Sequence, residues 1–316
     1  MTTSLVAGGA GFIGSHLCEK LLSEGHKVVC IDNLVTGKAK NVKHLLDNPN
    51  FIFIKQDVSK QVELKGDVDF IFHLASPASP VDFPEMPVKI VLSNSYGTFN
   101  LLTLAKQKGA RFLMASTSEV YGDPLVHPQP ETYWGNVNPI GIRGCYDESK
   151  RVAEAFIMAF VRRYGLDARI ARIFNTYGER MRLDDGRVIP NFVTQALGGK
   201  LITIYGDGKQ TRSICYVSDL VEGLCKIMFD GEKGEVYNLG NPAEYNMIDL
   251  ANEVKKLTGS NSELVFKPLP PDDPMQRRPD ITKIKSKLGW EPKVGPQEGL
   301  KRTIEWFKKE MENGKY

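Results

Sequence analysis

The chain has 316 residues, of which 41% are apolar and 25% charged, and a formal net charge of +3 at pH 7. That length suits one large α/β body or two modest domains, and a small charge spread without a basic block gives no support to nucleic-acid or membrane-surface binding. No apolar run approaches the roughly 20 residues of a membrane helix. The five cysteines (Cys18, Cys30, Cys145, Cys215, Cys225) are an odd number without a CxxC pair, which argues for free thiols in a reducing cytosol rather than a disulfide framework or a metal centre. Residues 1–14 run straight into a strand and a glycine-rich turn without a basic leader, so the expected location is cytoplasmic.

The first predicted strand, residues 4–8, leads into VAGGAGFIGSHL, where Gly8, Gly11 and Gly14 are spaced by three ahead of a helical pattern over 12–24. Such glycines permit a tight turn, close approach of backbone to a pyrophosphate, and a helix N-terminus aimed at the phosphates. The next strand, 27–32, ends in Asp32, 18 residues beyond Gly14. A carboxylate there accepts hydrogen bonds from the adenosine ribose and repels a 2′-phosphate, so the expected cofactor is NAD rather than NADP. A third strand, 51–57, closes with Asp57, which suits either a contact to the adenine or a cap in a turn.

Strands follow at 68–75, 111–116 and 168–175, and helical spacing at 88–108 and 147–164. Alternation at this pitch, with strands apolar along their length, predicts an α/β fold: a Rossmann-type doubly wound parallel sheet. The strand at 111–116 ends in Ser116, Thr117, Ser118 and Glu119, which brings hydroxyls and a carboxylate to the edge where such sheets bind ligands. After residue 175 the pattern loosens, with turn-rich stretches at 177–187 and 267–280, helical segments near 190–198, 217–229 and 247–258, and a strand at 235–241. We therefore expect an NAD-binding domain over 1–175, joined by a return strand near 235–240, and a smaller, mainly substrate-binding domain over 176–316.

Tyr146 and Lys150 are four residues apart and share one face of a helix. A phenol is a poor base with a pKa of ~10, but an adjacent ammonium and a positive nicotinamide ring both favour the phenolate. The pair can then accept a proton from a sugar hydroxyl as hydride leaves for NAD. Taken alone, YxxxK is also a common accident of solvated helices.

In order along the chain, HLASPASP (73–80), ASTSEVYGDP (115–124), YWGNVNPIG (133–141), RGCYDESKRVAE (143–154), RIFNTYG (172–178), DGRV (185–188), YGDGKQTRSICYVSDLV (205–221) and RRPDI (277–281) resemble the extended short-chain dehydrogenase/reductase family. Within it the chain is most similar to the UDP-glucuronate decarboxylases. The resemblance implies that Thr117 and Ser118 contact the sugar, that Glu119 acts at the ring carbon bearing the carboxylate, and that Arg212 meets that carboxylate. It places Phe12, Ile13, Asn33, Val58 and Leu74 around the cofactor, and Ala78 and Arg143 at the substrate. Asn175, Arg187, Tyr205 and Arg277 match nucleotide-sugar contacts, with surface ion pairs the lesser alternative for Arg187 and Arg277. Phe83 stands where those decarboxylases usually have tyrosine, and Glu179 where proline is usual.

The implied reaction oxidises the sugar at C4, loses carbon dioxide from the 4-keto acid, reprotonates C5 and returns hydride to give UDP-xylose; release of the 4-keto pentose is left open. Rival readings are a 4,6-dehydratase or 4-epimerase with the same redox core, and a cofactor-sensing regulator without chemistry. Ser118 where the dehydratases carry aspartate argues against the first, and the intact Thr117, Tyr146 and Lys150 against the last. Family members pair through helices matching 88–108 and 147–164, so Val91, Leu92, Phe99, Phe156 and Met158 are expected in a four-helix bundle between two subunits. His73 and Trp134 are read as structural, and Cys145 as packing rather than reactive.

Overall fold

A computed structural model describes residues 1–269 and 276–314. The centre of the turn-rich 267–280 stretch, residues 270–275, lies outside the described residues. The first half runs β1 (Thr3–Ala7), α1 (Phe12–Ser23), β2 (Lys27–Asp32), β3 (Phe51–Lys55), β4 (Phe70–His73), α2 (Asp82–Glu85), α3 (Pro87–Asn94), α4 (Tyr96–Lys108), β5 (Arg111–Thr117), α5 (Gly144–Tyr164) and β6 (Ala168–Ile173). The second half continues with β7 (Thr176–Tyr177), α6 (Val188–Leu197), β8 (Ile202–Tyr205), β9 (Thr211–Ser213), β10 (Cys215–Tyr216), α7 (Val217–Asp230), β11 (Val236–Leu239) and β12 (Glu244–Asn246). It ends with α8 (Met247–Thr258), β13 (Leu264–Lys267), β14 (Gln276–Arg277), α9 (Thr282–Leu288) and α10 (Pro296–Glu312).

Seven strands form one sheet in the order β11-β6-β5-β4-β1-β2-β3. Every pairing in it is parallel. This is the doubly wound architecture the strand–helix alternation predicts. Alternate side chains serve opposite faces, as the pleat requires. Leu5, Ala7, Ile31, Ile71 and Phe112 join a core with Leu101 of α4 and Ile157 of α5. Their neighbours Val6, Cys30, Phe72 and Leu113 join a second core with Leu17 of α1, Leu224 of α7 and Phe307 of α10.

The single helix expected over 88–108 is two, separated at Ser95, whose hydroxyl donates back to the Val91 carbonyl at 2.6 Å. Side-chain bonding of this kind competes with the helix ladder. The second half folds around three small sheets, β10-β7, β12-β9-β14 and β13-β8. Its last helix, α10, starts at Gly295 with Pro296 in the first position and was not anticipated from the sequence. Among the described residues no helix is long and apolar enough to cross a membrane.

Candidate active site

The glycine turn joins β1 to α1 at the carboxyl edge of the sheet. Gly8 has φ +82°, and a Cβ there would sit 2.7 Å from the Ala75 backbone nitrogen; a Cβ on Gly14 would sit 2.1 Å from the Gly8 carbonyl oxygen. Only glycine permits this closeness. No side chain caps the N-terminus of α1. Its first-turn amides therefore face the cavity lined by Gly8, Gly11, Phe12, Ile13 and Gly14. A cradle of bare amides at a helix N-terminus fits the diphosphate of NAD.

A second cavity of 210 Å³ opens from the same turn and is lined by Asp32, Asn33, Asp57, Val58 and Leu74. Asp32 is buried, and its carboxylate accepts the Ala10 amide at 3.0 Å and the Leu34 amide at 2.8 Å. Burial pushes its pKa up, against the pull of those amides. Asp57 lines this cavity and accepts the Ser59 amide at 2.9 Å as a turn cap. This pocket has the size and acceptors for an adenosine.

The main cavity, 380 Å³, continues from the glycine turn past Thr117, Ser118, Glu119, Tyr146 and Lys150. The extended backbone of β5 and the first turns of α5 bring these residues together. Lys150 is buried and donates to the Ala115 carbonyl at 2.8 Å, with its ammonium 5.7 Å from the Tyr146 ring centroid. Burial brings the Lys150 pKa down to about 7. Burial also pushes the Tyr146 phenol well above its ordinary value, opposed by a hydrogen bond with Thr117. Burial therefore outweighs the Thr117 bond, and the phenol of the protein alone holds its proton at neutral pH. Thr117 accepts the Glu119 amide at 3.2 Å, which turns the chain after β5 and aims the carboxylate inward. His73, next to this network at the end of β4, is fully buried against Thr98 at 3.0 Å and held neutral by burial, with a pKa of about 3.

Glu119 bonds Arg143 through one carboxylate oxygen and Arg277 through the other. Burial alone would raise its pKa, but the two guanidinium charges hold it at about 2. Arg143 also lies 3.8 Å from Asp147, whose carboxyl is pushed up to about 8 by burial and then by the charge of Glu119. Arg143 and Arg277, expected at the nucleotide sugar, thus meet Glu119 directly. Arg212 lines the cavity from β9, in register with Arg277 on β14. Its guanidinium donates to the Thr211 carbonyl at 2.9 Å.

Ala78, Asn175, Arg187 and Tyr205 line the same cavity. Arg187 pairs with Asp185 through two nitrogens, an internal partner that the sequence reading did not name. Phe83, singled out in the sequence for standing in place of a tyrosine, stacks its ring on Tyr146, a contact the sequence does not reveal. Asp82 beside it binds Arg182, and a sequence separation of 100 leaves no local signal of the pair. Cys145 packs in the same cluster as Phe83 and Tyr146. Trp134, read as structural, is instead 87% exposed because the loop before α5 runs over the surface. Glu179 accepts the Tyr216 hydroxyl at 2.6 Å, so it anchors its loop through a side-chain bond.

The family model described as GDP-mannose 4,6 dehydratase matches residues 5–303. UDP-glucuronic acid decarboxylase 1 of Arabidopsis thaliana is 55% identical over 309 residues, covering 98% of this chain and 70% of that protein. UDP-glucuronic acid decarboxylase 1 of Danio rerio is 52% identical over 309 residues, covering 98% and 73%. Among solved structures, UDP-glucuronic acid 4-epimerase from Bacillus cereus, in complex with UDP-glucuronic acid and NAD, superposes with a TM-score of 0.88 at 29% identity, covering 98% of this chain and 99% of that one. With its parallel sheet, glycine turn and Tyr146–Lys150 pair in place, the chain belongs to the GDP-mannose 4,6-dehydratase family of extended short-chain dehydrogenases/reductases.

Proposed function

We propose that this protein is an NAD-dependent decarboxylase that converts UDP-glucuronate to UDP-xylose and carbon dioxide through a 4-keto sugar. The observation that carries this reading is the meeting of Glu119 and its two arginines with the Tyr146–Lys150 pair in one cavity, in a chain more than half identical to named UDP-glucuronic acid decarboxylases. Bound NAD supplies a reversible hydride acceptor for C4 of the sugar.

With the dinucleotide bound, its positive nicotinamide ring and a charged Lys150 would favour the Tyr146 phenolate, whose Oη then accepts the proton of the C4 hydroxyl while the Thr117 hydroxyl holds it in place. Once C4 is a ketone, the C6 carboxylate is β to it. The C5–C6 bonding pair then flows into an enolate as carbon dioxide departs. Two guanidinium groups against one carboxylate leave a positive field where the sugar acid is expected, and Arg212 adds to it from the adjacent strand.

Glu119 stays ionised at neutral pH, so it cannot itself donate the proton that C5 gains. Guanidinium groups keep their protons up to a pKa of ~12.5 or above. In this reading the proton enters from water oriented by the Glu119–Arg277 pair. Asn175, Tyr205 and Arg187 serve the nucleotide, with Asp185 holding Arg187 in place.

The active unit is a homodimer. Support comes from α3, α4 and α5, which leave Val88, Val91, Leu92, Tyr96, Phe99 and Val152 exposed on the outside of the subunit. Phe156 and Met158, expected in the same bundle, are half-buried within the subunit's own core. Five unpaired cysteines suit a reducing cytoplasm.

The test is incubation with UDP-glucuronate, UDP-glucose and dTDP-glucose, followed by product masses and carbon dioxide release. Carbon dioxide and a UDP-pentose from UDP-glucuronate alone are expected. Turnover of a hexose to its 4-keto-6-deoxy form, or epimerisation of UDP-glucuronate without loss of mass, would replace this reading with a dehydratase or an epimerase.

A further inference from the structure

Tyr146 is not restrained by polar contacts alone. The Phe83 ring lies 5.2 Å from it, centroid to centroid, with 18° between the planes. Phe83 is 3% exposed and comes from α2, the one-turn helix in the loop after β4. That loop is docked onto the loop before α6. Arg182 Nη1 donates to both oxygens of Asp82, each at 3.0 Å, and the Ser79 hydroxyl donates to the Asp185 carbonyl. Gly186 lies so close beneath Val81 that a Cβ there would come within 2.5 Å of the valine side chain. Asp82 immediately precedes Phe83, so its ion pair fixes the backbone that carries the ring.

The charged and titratable groups around the phenol come from several elements: Asp147 and Lys150 from α5, Glu119 after β5, and Arg187 at the start of α6. With Thr117 they act on the phenol oxygen and its charge. None of them fixes the plane of the ring, whereas a stacked neighbour does.

We infer that Phe83 is the positioning residue of Tyr146 and that the Asp82–Arg182 ion pair seats it, so that the phenol is aimed at its substrate hydroxyl only while the two loops are docked. This rests on the proton-accepting role proposed for Tyr146. The device couples loop docking to the oxidation step and leaves the binding of the dinucleotide, on the other side of the turn, untouched.

The test uses Phe83→Leu, Phe83→Tyr and Arg182→Gln in the full chain, with the ring resonances of Tyr146 assigned by comparison with Tyr146→Phe. Loss of the stacked ring should move those resonances in Phe83→Leu, and undocking of the loop should move them in Arg182→Gln. Both variants should slow single-turnover oxidation of UDP-glucuronate by on the order of a hundredfold, the usual cost of misplacing a reacting group by ~1 Å. NAD affinity, measured by direct binding, should stay within about twofold of the unsubstituted protein, a change small beside that loss. Phe83→Tyr should restore the oxidation rate. Unmoved Tyr146 resonances in Arg182→Gln would overturn the role of the ion pair. A Phe83→Leu protein with the unsubstituted rate and pH profile of oxidation would overturn the role of the ring. If Phe83→Leu does not fold, Arg182→Gln decides, because its side chain is partly exposed. The resonance shifts need no substrate, so a wrong substrate assignment would show separately, as absent turnover in the unsubstituted protein.

Discussion

Lys150 donates a hydrogen bond to the carbonyl of Ala115, 2.8 Å away, so the strand that ends in the site also holds the lysine of the site. The price of this placement is a buried ammonium. Its pKa falls from 10.5 to about 7, so between those values the unfolded chain binds more protons than the folded one. The residue therefore costs stability fully below about 7, and the cost fades as pH rises to 10.5. We predict that Lys150→Met gains stability near neutral pH, by up to a few kcal/mol at ~1.4 kcal/mol per pKa unit, and that the gain vanishes at alkaline pH while oxidation is lost. Denaturant midpoints across that range check the sign; a gain that grows with pH would contradict it.

Tyr146→Phe and Glu119→Gln should fail at different stages. The first removes the proton acceptor, and single-turnover reduction of NAD should drop about 10²–10⁴-fold with little change in folding. The second leaves the redox pair intact but removes the charge that faces the buried Arg277 and the half-buried Arg143, and breaking a buried pair costs about 3–5 kcal/mol. Glu119→Gln should reduce NAD yet release carbon dioxide slowly. Its depressed pKa also means that Glu119 adds stability above its ordinary value of 4.5, which is lost as pH falls through about 2. Full carbon dioxide release from Glu119→Gln would make the glutamate structural only.

Asp147 has the opposite linkage. Burial raises its pKa from 3.8 to about 8, so the folded protein binds the extra proton and loses stability as pH climbs through that interval. Asp147→Asn mimics the protonated acid and should flatten the slope of stability against pH over that interval. An unchanged slope would show that the carboxyl is ionised when folded.

Asp32→Ala removes the acceptor of two backbone amides and a carboxylate from the pocket proposed for the adenosine ribose. The ratio of NADP to NAD affinity, read by direct binding, should rise, and the melting temperature should fall. Equal affinity of the unsubstituted protein for both cofactors would contradict the ribose assignment.

If α3, α4 and α5 pair two subunits as proposed, Phe99→Asp, with Val91→Asp as a second variant, should yield monomers at micromolar concentration by light scattering, because that pairing would bury an unpaired carboxylate. A monomeric unsubstituted protein would dispose of the dimer outright.

The dinucleotide turn was legible because every residue of it is local. The strand at 27–32 begins and ends where the pattern put it, and the three glycines sit where their missing side chains are needed. The Glu119 clamp was not legible. Its partners lie 24 and 158 residues away, and nothing in the sequence says which arginines meet which acid. The small sheet β12-β9-β14 has strands of two or three residues, too short to carry a period. The last helix was a different kind of miss. Leu300, Ile304 and Phe307 have helical spacing after Gly295–Pro296, so the signal was there and went unread.

One of the two edge strands of the sheet, β11, pairs with β6 from more than sixty positions further along the chain, Val236 against Ile170. During synthesis the other six strands leave the ribosome first. Until residue 239 has followed, β6 offers a row of unpaired backbone groups to any neighbouring polypeptide. Phe307, which completes one of the two cores, emerges later still. The nascent protein thus passes through a long stage with a bare sheet edge and an open core, a stage at which chaperone binding competes with aggregation and translation speed matters for yield.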